Sequence, residues 1–304
     1  MVSAGRGGIA FVFPGQASQR EGMAAELLAQ VAEARDLFHR AGEVLGLDLA
    51  GVCTTGDEAI LTRTDIAQPA LLTTCVAWLA AVRARAVEPT VVAGHSLGEF
   101  SAWVAAGALE FDAALRLVRR RGELMEEAAE RNPGGMLAIV GLSDEQVIDI
   151  CEKASKLGVA KPANFNCPGQ LVVSGQPDAL DKVGELAKAQ RGRAIPLKVS
   201  GAFHSPLMDD AAYEFSRLVA ALTIGDPRVP VVANATAEPI TTADGVRHVM
   251  SRQMTSPVLW TSSVRRMVAD GVRLFLEIGP GQILTKLIQR ISADVDAMSA
   301  EWRR

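Results

Sequence analysis

The segment from Gly94 to Gly98 has the residue types and spacing of a serine nucleophile. It reads Gly-His-Ser-Leu-Gly and lies between a short apolar run, Thr90 to Ala93, and a helical run from Glu99 to Ala108. Glycines at both ends permit a sharp strand-to-helix turn, which would expose the Ser96 hydroxyl at the N-terminus of the helix. Backbone N–H groups and the helix dipole favour negative charge there, as a developing oxyanion requires. The alternative is a glycine-rich turn whose serine has no role.

A serine hydroxyl needs a base to become a good nucleophile, and the usual base is histidine. The chain has four histidines. His39 and His248 lie in charged or polar segments that are typical of a protein surface. His95 adjoins Ser96, so its side chain should leave the turn in a different direction. His204 follows a predicted strand, IPLKVS, and α/β sites gather at the carboxyl ends of strands. We therefore favour His204 as the base, with a loop-capping role as the alternative.

Composition excludes several classes of protein. The chain has 304 residues, of which 49% are hydrophobic and 22% charged, as in a soluble globular protein. Its formal net charge is -4 and no basic stripe is present, which argues against a nucleic-acid surface. The longest apolar run, Leu71 to Val82, is shorter than the ~20 residues of a membrane-spanning helix.

Targeting and metal-binding signals are also missing from the sequence. The N-terminus reads MVSAGRGG, which is not a secretory signal. The four cysteines show no metal-ligand spacing and are expected to be reduced thiols of a cytoplasmic protein: Cys53, Cys75, Cys151 and Cys167.

Apolar β-type runs alternate with helical stretches, which predicts an α/β fold with buried parallel strands. The predicted strands are Ile9–Phe13, Thr90–Ala93, Gly135–Val140, Leu171–Ser174, Ile195–Val199, Val229–Val232 and Leu274–Ile278. The predicted helices are Gln19–Leu45, Ala67–Ala86, Phe111–Ala129, Pro206–Leu222 and Ser262–Ala269.

The interval 132–200 differs from the rest of the chain. Its pattern of strand, helix, strand pair, helix and strand indicates a small split βαβ unit inserted in a larger α/β domain. We therefore predict a discontinuous large domain, 1–131 with 201–304, and a small subdomain, 132–200.

Several motifs in order resemble one known family, the malonyl-CoA:acyl carrier protein transacylases and the related acyltransferase domains of polyketide synthases. The resemblance covers nearly the whole chain. The motifs are FVFPGQASQ (11–19), GHSLGEFSA (94–102), RRRGELM (119–125), NFNCPGQLVVSG (164–175), GAFHSPLM (201–208), QMTSPVLW (253–260) and EIGPG (277–281). It implies an α/β-hydrolase-like large domain with a parallel sheet and an inserted ferredoxin-like subdomain.

The resemblance also implies the catalytic groups. Ser96 would be the acylated nucleophile and His204 its base. The backbone N–H groups of Gln16 and Leu97 would form the oxyanion hole. The backbone carbonyl of Leu259 would accept the second ring N–H of His204, so the site would be a dyad without an acidic third member.

Three further residues are implied to contact the acyl group. From the sequence alone, all three arginines of the run at 119–121 could lie on a solvated helix face. Only the resemblance selects Arg121 as the group that binds a substrate carboxylate. Met125 would line the acyl pocket, with a plain core methionine as its alternative. Phe203 would crowd the acyl carbon next to the carboxylate, with a core aromatic under the loop as its alternative.

The activity so implied is a ping-pong transfer of malonyl from malonyl-CoA to the phosphopantetheine thiol of an acyl carrier protein, without metal or redox cofactor. Three rivals stay open: an acyl hydrolase acting on carrier proteins, an acyltransferase for another extender unit, and a non-catalytic carrier-docking subunit. An intact Ser96 and His204 argue against the last of these.

Overall fold

A computed structural model describes residues 7–301. The strands are β1 Gly8–Phe13, β2 Val91–Gly94, β3 Gly135–Val140, β4 Ala160–Cys167, β5 Gln170–Gly175, β6 Arg193–Pro196, β7 Val231–Val232, β8 Pro239–Ile240, β9 Val272–Glu277 and β10 Asp296–Ser299. The first helices are α1 Ala25–Gln30, α2 Ala32–Leu45, α3 Leu49–Thr55, α4 Glu58–Thr62, α5 Thr64–Arg83, α6 Gly98–Ala105 and α7 Phe111–Arg131. They are followed by α8 Asp144–Ala154, α9 Pro177–Ala189, α10 Asp209–Ala220, α11 Ala243–Arg252, α12 Trp260–Ala269 and α13 Ile283–Ile291.

The larger sheet has six strands in the order β10-β9-β1-β2-β7-β8. Its strands pair in parallel except for β8, which runs antiparallel to β7 at one edge. The central strand β1 ends in four fully buried residues, Phe11 to Phe13 among them, because helices cover both faces of a parallel sheet. The predicted α/β class with a parallel sheet is confirmed.

The smaller sheet has four antiparallel strands in the order β4-β5-β3-β6. Together with α8 and α9 it follows the chain order β3-α8-β4-β5-α9-β6, which is the ferredoxin-like arrangement. A core of its own lies between this sheet and the two helices, with Val147, Ile150 and Val183 fully buried. All of it falls inside the interval 132–200, and the exact domain boundaries stay a prediction.

Two predicted elements differ in the structure. The helix expected over Gln19–Leu45 begins only at Ala25 and is interrupted at Val31, whose φ of -117° and ψ of 112° are extended. The side chain of Arg35 donates to the Leu28 carbonyl at 2.7 Å and so supplies a partner to the end of the first helix.

The strand expected over Ile195–Val199 is the second difference. It ends at Pro196 because the chain then turns, with the Val199 N–H donating to the Leu197 carbonyl at 3.0 Å. His204 therefore lies in a loop of its own rather than at the end of a strand, which corrects the expectation from the sequence.

Helix α5 is the central helix of the large domain. By length and composition it could cross a membrane, but 94% of its most apolar window is buried inside the protein, as in the core helix of a globular fold. It packs along α7, where a Cβ on Gly122 would come within 2.7 Å of the Thr64 carbonyl oxygen and the Asp65 Cα. This close approach fixes the helix that carries the arginine run.

Gly98 lies where α6 starts against the end of β1, and a Cβ there would overlap the Phe13 carbonyl. We predict that Gly98→Ala lowers the free energy of unfolding by at least about 1–3 kcal/mol, as overpacking against fixed backbone does. Gly184→Ala in α9 is the matched control, since its Cβ would meet Ala194 at an ordinary 3.8 Å. It should change stability by no more than about 1 kcal/mol. Urea unfolding of both variants checks this, and equal midpoints would contradict it.

Candidate functional site

Ser96 occupies a sharp turn between β2 and α6. Its φ is +50°, a conformation that non-glycine residues rarely adopt and that a surrounding structure must enforce. A Cβ on Gly94 would overlap the backbone of Gly98, so the two glycines allow the turn to close as tightly as it does. The predicted strand-turn-helix context of the serine is therefore present.

The His204 side chain meets Ser96, with 2.8 Å between His204 Nε2 and Ser96 Oγ. His204 is 5% exposed and has a φ of +57°. Its Nδ1 lies 2.9 Å from the Ser256 carbonyl and 3.1 Å from the Gln253 carbonyl. Because carbonyls only accept, the ring proton belongs on Nδ1, and Nε2 is free to accept the serine hydroxyl proton.

The expectation that Leu259 orients His204 is corrected by this geometry. The Leu259 carbonyl instead accepts from the backbone N–H of Ser263 at 2.9 Å and from its hydroxyl at 3.0 Å. The reason is that Leu259 immediately precedes α12, so its carbonyl points along the helix and takes part in the first helical turn. The other three histidines lie away from the Ser96 hydroxyl: His39 and His248 are exposed, and His95 Nε2 lies 2.8 Å from Asn166 Oδ1.

Burial and, as a smaller effect, the positive charge of Arg121 lower the pKa of His204 from 6.5 to about 3. Contacts with the carbonyls of Ser256 and Gln253 oppose this shift in part. His204 is consequently neutral at physiological pH, which is the form that can take a proton from Ser96.

Gln16 and Leu97 lie on two sides of the serine. Leu97 follows it at the start of α6 with helical backbone angles, and Gln16 lies in the loop after β1. That loop packs closely on the turn, since a Cβ on Gly15 would overlap the His95 carbonyl. Within residues 7–301 neither backbone N–H donates to a protein acceptor. Their role as oxyanion donors stays a prediction.

Arg121 is 1% exposed on α7 and makes no ion pair within the described chain. Its guanidinium donates to the side-chain carbonyl of Gln68 at 2.9 Å and to that of Gln253 at 2.8 Å. Its Nη2 also lies 3.4 Å from Ser96 Oγ. Burial lowers the pKa of Arg121 to about 10, so it stays charged at pH 7. A permanent positive charge therefore lies next to the Ser96 hydroxyl and has no ion pair within the described residues.

The two preceding arginines have different surroundings, although the sequence alone did not separate the three. Arg119 pairs with Glu123 and with the buried Asp65. Arg120 is partly exposed and pairs with Glu123 and Glu127.

Met125 and Phe203 line the same cavity, which has a volume of about 300 Å³. Met125 is 3% exposed and its sulfur accepts the Gln68 amide at 3.3 Å. Phe203 is 5% exposed and precedes the histidine. The cavity lies between the two sheets, because Met136 and Val172 of the small sheet form part of its wall. Among residues 7–301 no three His, Cys, Asp or Glu side chains are grouped so as to hold a metal ion.

Four functional residues were missed in the sequence. Asn234 holds the turn: its Oδ1 accepts the Ser96 N–H at 2.6 Å and its Nδ2 donates to the Gly94 carbonyl at 2.5 Å. Gln253 accepts from His204 Nδ1 through its backbone carbonyl and from the Arg121 guanidinium through its side-chain oxygen. The remaining two are Gln68, whose side-chain oxygen accepts from Arg121, and Glu99, whose carboxylate accepts the backbone N–H of Asn234. A polar residue directly after the apolar run of β7, and a glutamine inside the apolar α5, were signals that could have found Asn234 and Gln68.

Comparisons with known proteins agree with this geometry. Residues 10–301 match the family model described as the acyl transferase domain. The malonyl CoA-acyl carrier protein transacylase of Bacillus subtilis (strain 168) is 44% identical over 286 residues, covering 93% of this chain and 90% of the relative. That of Escherichia coli (strain K12) is 42% identical over 293 residues, covering 96% and 94%.

Solved structures of similar proteins have the same fold. An acyl carrier protein S-malonyltransferase from Vibrio cholerae superposes with a TM-score of 0.93 at 42% identity, covering 96% of each chain. A type II PKS acyl-carrier protein in complex with its malonyl-transacylase matches with a TM-score of 0.94 at 39% identity, covering 96% of this chain and 95% of that one.

The environment of His204 leads to a titration prediction. We expect NMR of the imidazole to show a neutral ring protonated on Nδ1 at pH 7, which takes up its second proton only well below the ordinary 6.5. Arg121→Ala should raise this pKa, because one of the two main causes of its depression is removed. Arg120→Ala, which removes a partly exposed arginine paired with two glutamates, should leave it unchanged. A ring that titrates near 6.5 in the wild type would contradict the prediction.

Proposed function

Because this chain belongs to the acyl transferase domain family, we propose that it transfers malonyl from malonyl-CoA to the phosphopantetheine thiol of an acyl carrier protein. One observation carries the choice of substrate: the Arg121 guanidinium is buried without a carboxylate partner, 3.4 Å from the nucleophile. A buried guanidinium binds a carboxylate by charge-assisted hydrogen bonds, whereas a neutral acyl group does not pair with its charge. Such a site supplies extender units for fatty-acid or polyketide synthesis.

Acylation begins at the Ser96–His204 pair. His204 Nε2 takes the hydroxyl proton as Ser96 Oγ attacks the thioester carbonyl of malonyl-CoA. The N–H groups of Gln16 and Leu97 donate to the oxyanion that forms. The tetrahedral intermediate collapses, the C–S bond breaks, and His204 returns the proton to the departing coenzyme A thiolate.

Transfer reverses these steps with a different thiol. The carrier's phosphopantetheine thiol enters the emptied cleft and loses its proton to His204, and its sulfur attacks the malonyl ester carbonyl. The oxyanion is held by the same two N–H groups, the Ser96–acyl bond breaks, and Ser96 Oγ recovers the proton from His204. The carbonyls of Gln253 and Ser256 keep the ring in one tautomer through both halves, in the place that an acidic residue takes in a triad.

Arg121, Met125 and Phe203 fit the acyl group to the cavity. Arg121 places the malonyl carboxylate beside the serine, and this contact positions the thioester carbonyl as well as selecting the substrate. Met125 supplies apolar wall, and the Phe203 ring crowds the carbon that would bear the methyl of methylmalonyl. A hydrophobic wall discriminates a single methyl by only ~1–3 kcal/mol, so this second selection is weaker than the first. The reaction uses no metal or redox cofactor and takes place in the cytoplasm.

We predict that the enzyme loads malonyl onto a holo carrier protein, detected by the intact mass of the carrier, and leaves the apo carrier unmodified. Ser96→Ala should abolish both the malonyl-enzyme and the malonyl-carrier, because no other group is placed to accept the acyl. Ser101→Ala, which alters another buried serine of the same segment, should retain both. A Ser96→Ala variant that still loads the carrier would overturn the assignment, and hydrolysis to free malonate with no carrier product would favour a hydrolase.

A further inference from the structure

Glu99 is a buried carboxyl that the mechanism does not use. It lies in the first turn of α6, three residues after the nucleophile, and is 1% exposed. One carboxylate oxygen accepts the Asn234 N–H at 2.8 Å. Burial raises its pKa from 4.5 to about 7, against the opposing effects of Asn234, Gln253 and Arg121. Within residues 7–301 no arginine or lysine forms a direct ion pair with it.

Gln253 connects this carboxyl to Arg121. Its side-chain oxygen accepts from Arg121 Nη2 at 2.8 Å and from Nε at 3.2 Å. Its amide nitrogen donates to the Ser96 carbonyl at 2.7 Å, and the same side chain stabilises the ionised form of Glu99. Glu99 and Arg121 also act on each other through their charges. Glu99 and Arg121 are therefore both tied to the backbone of Ser96, Glu99 through Asn234 and Arg121 through Gln253.

We propose that Glu99 is the internal counter-charge of Arg121 while the site is empty, and that it takes up a proton from solvent when a substrate carboxylate pairs with Arg121. The inference rests on the proposed function, since the arriving carboxylate is that of malonyl. It makes Glu99 a positioning residue for the charge-selecting group rather than a catalytic one.

The balance of buried charges predicts the direction in which the pKa of Glu99 changes when substrate binds. In the empty site one negative and one positive charge offset each other across Gln253, which reduces the cost of burying either. A bound malonyl carboxylate adds a second negative charge to the same poorly solvated region. Like charges in one site cannot both stay ionised at little cost, so the proton affinity of Glu99 rises.

Other charges around α6 do not provide this coupling. Among residues 7–301, Arg121 is the one charged group that acts on the Glu99 carboxyl. His95 and His204 are neutral, because burial lowers the pKa of each. The remaining charged groups on α5 and α7 near this region are engaged with partners of their own: Asp65 with Arg63 and Arg119, Arg83 with Glu88, and Arg120 with Glu123 and Glu127.

Acyl transfer itself moves no net proton. The Ser96 hydroxyl proton passes through His204 to the coenzyme A thiolate, whose thiol is largely protonated at pH 7. Any proton taken up from solvent on acylation is therefore bound by a group whose pKa rises on acylation.

Proton uptake on mixing enzyme with stoichiometric malonyl-CoA tests the proposal, read with a pH indicator in weak buffer while intact mass counts the malonyl-enzyme. Because the pKa of Glu99 is about 7, its carboxyl is only partly ionised at pH 7, so uptake should be a fraction of one proton per malonyl-enzyme. The uptake should become smaller as the pH is lowered, because more of the empty enzyme then already holds the proton. Acetyl-CoA, which brings no carboxylate, should give no uptake per acetyl-enzyme.

Two variants complete the test. Glu99→Gln should still form the malonyl-enzyme but take up no proton, whereas Glu277→Gln, a change at another buried glutamate, should take up as many as the wild type. Stoichiometric malonyl-enzyme without proton uptake in the wild type would overturn the proposal and leave the proposed function intact. Uptake that persists in Glu99→Gln would also overturn it. Failure of the wild type to form any malonyl-enzyme would instead refute the proposed function.

Discussion

A guanidinium buried beside the proposed nucleophile without a direct ion pair is the constraint on which this structure depends. Removing a charge from water costs several kcal/mol unless other groups replace the lost hydration. Here the replacements for Arg121 are the amide oxygens of Gln68 and Gln253 and the serine hydroxyl. The amides satisfy the N–H groups without forming an ion pair, so Arg121 can still pair directly with a carboxylate. The same charge helps to keep His204 neutral and able to act as a base.

Holding such a charge requires a rigid frame, and the packing of α5 on α7 provides it. Gly122 follows Arg121 and lets the two helices approach to backbone contact. Arg119 binds the buried Asp65 of α5 from the other side. Gln253 then joins the frame to the serine turn, because its side chain reaches both Arg121 and the Ser96 carbonyl. The positions of Ser96, His204 and Arg121 are thus set by one connected network rather than by separate loops.

Much of the fold and the serine turn could be predicted from the sequence, because local sequence patterns determine both. Parallel strands buried on both faces are continuous apolar runs, and the Gly-x-Ser-x-Gly turn needs glycine at two fixed places. The partners of those residues could not be predicted in this way. Asn234 and Ser96 are 138 residues apart in the chain. The carbonyls that accept from the His204 ring belong to Gln253 and Ser256 rather than to Leu259. Every residue has a backbone carbonyl, so the residue type does not show which carbonyl accepts from His204. The break in the helix at Val31 depends on tertiary contacts, which helix propensity does not describe.

The most direct test of the account is the ratio of malonyl to acetyl transfer in Arg121→Ala, measured as kcat/KM with each CoA ester and compared with Arg120→Ala. If Arg121 pairs with the acyl carboxylate, its removal should cut the ratio by roughly 30- to 1,000-fold, corresponding to about 2–4 kcal/mol for a lost buried charge pair. The loss should fall on malonyl, with acetyl transfer retained or improved, and Arg120→Ala should keep the wild-type ratio. Equal losses for both acyl groups in Arg121→Ala would show a structural arginine and contradict the account.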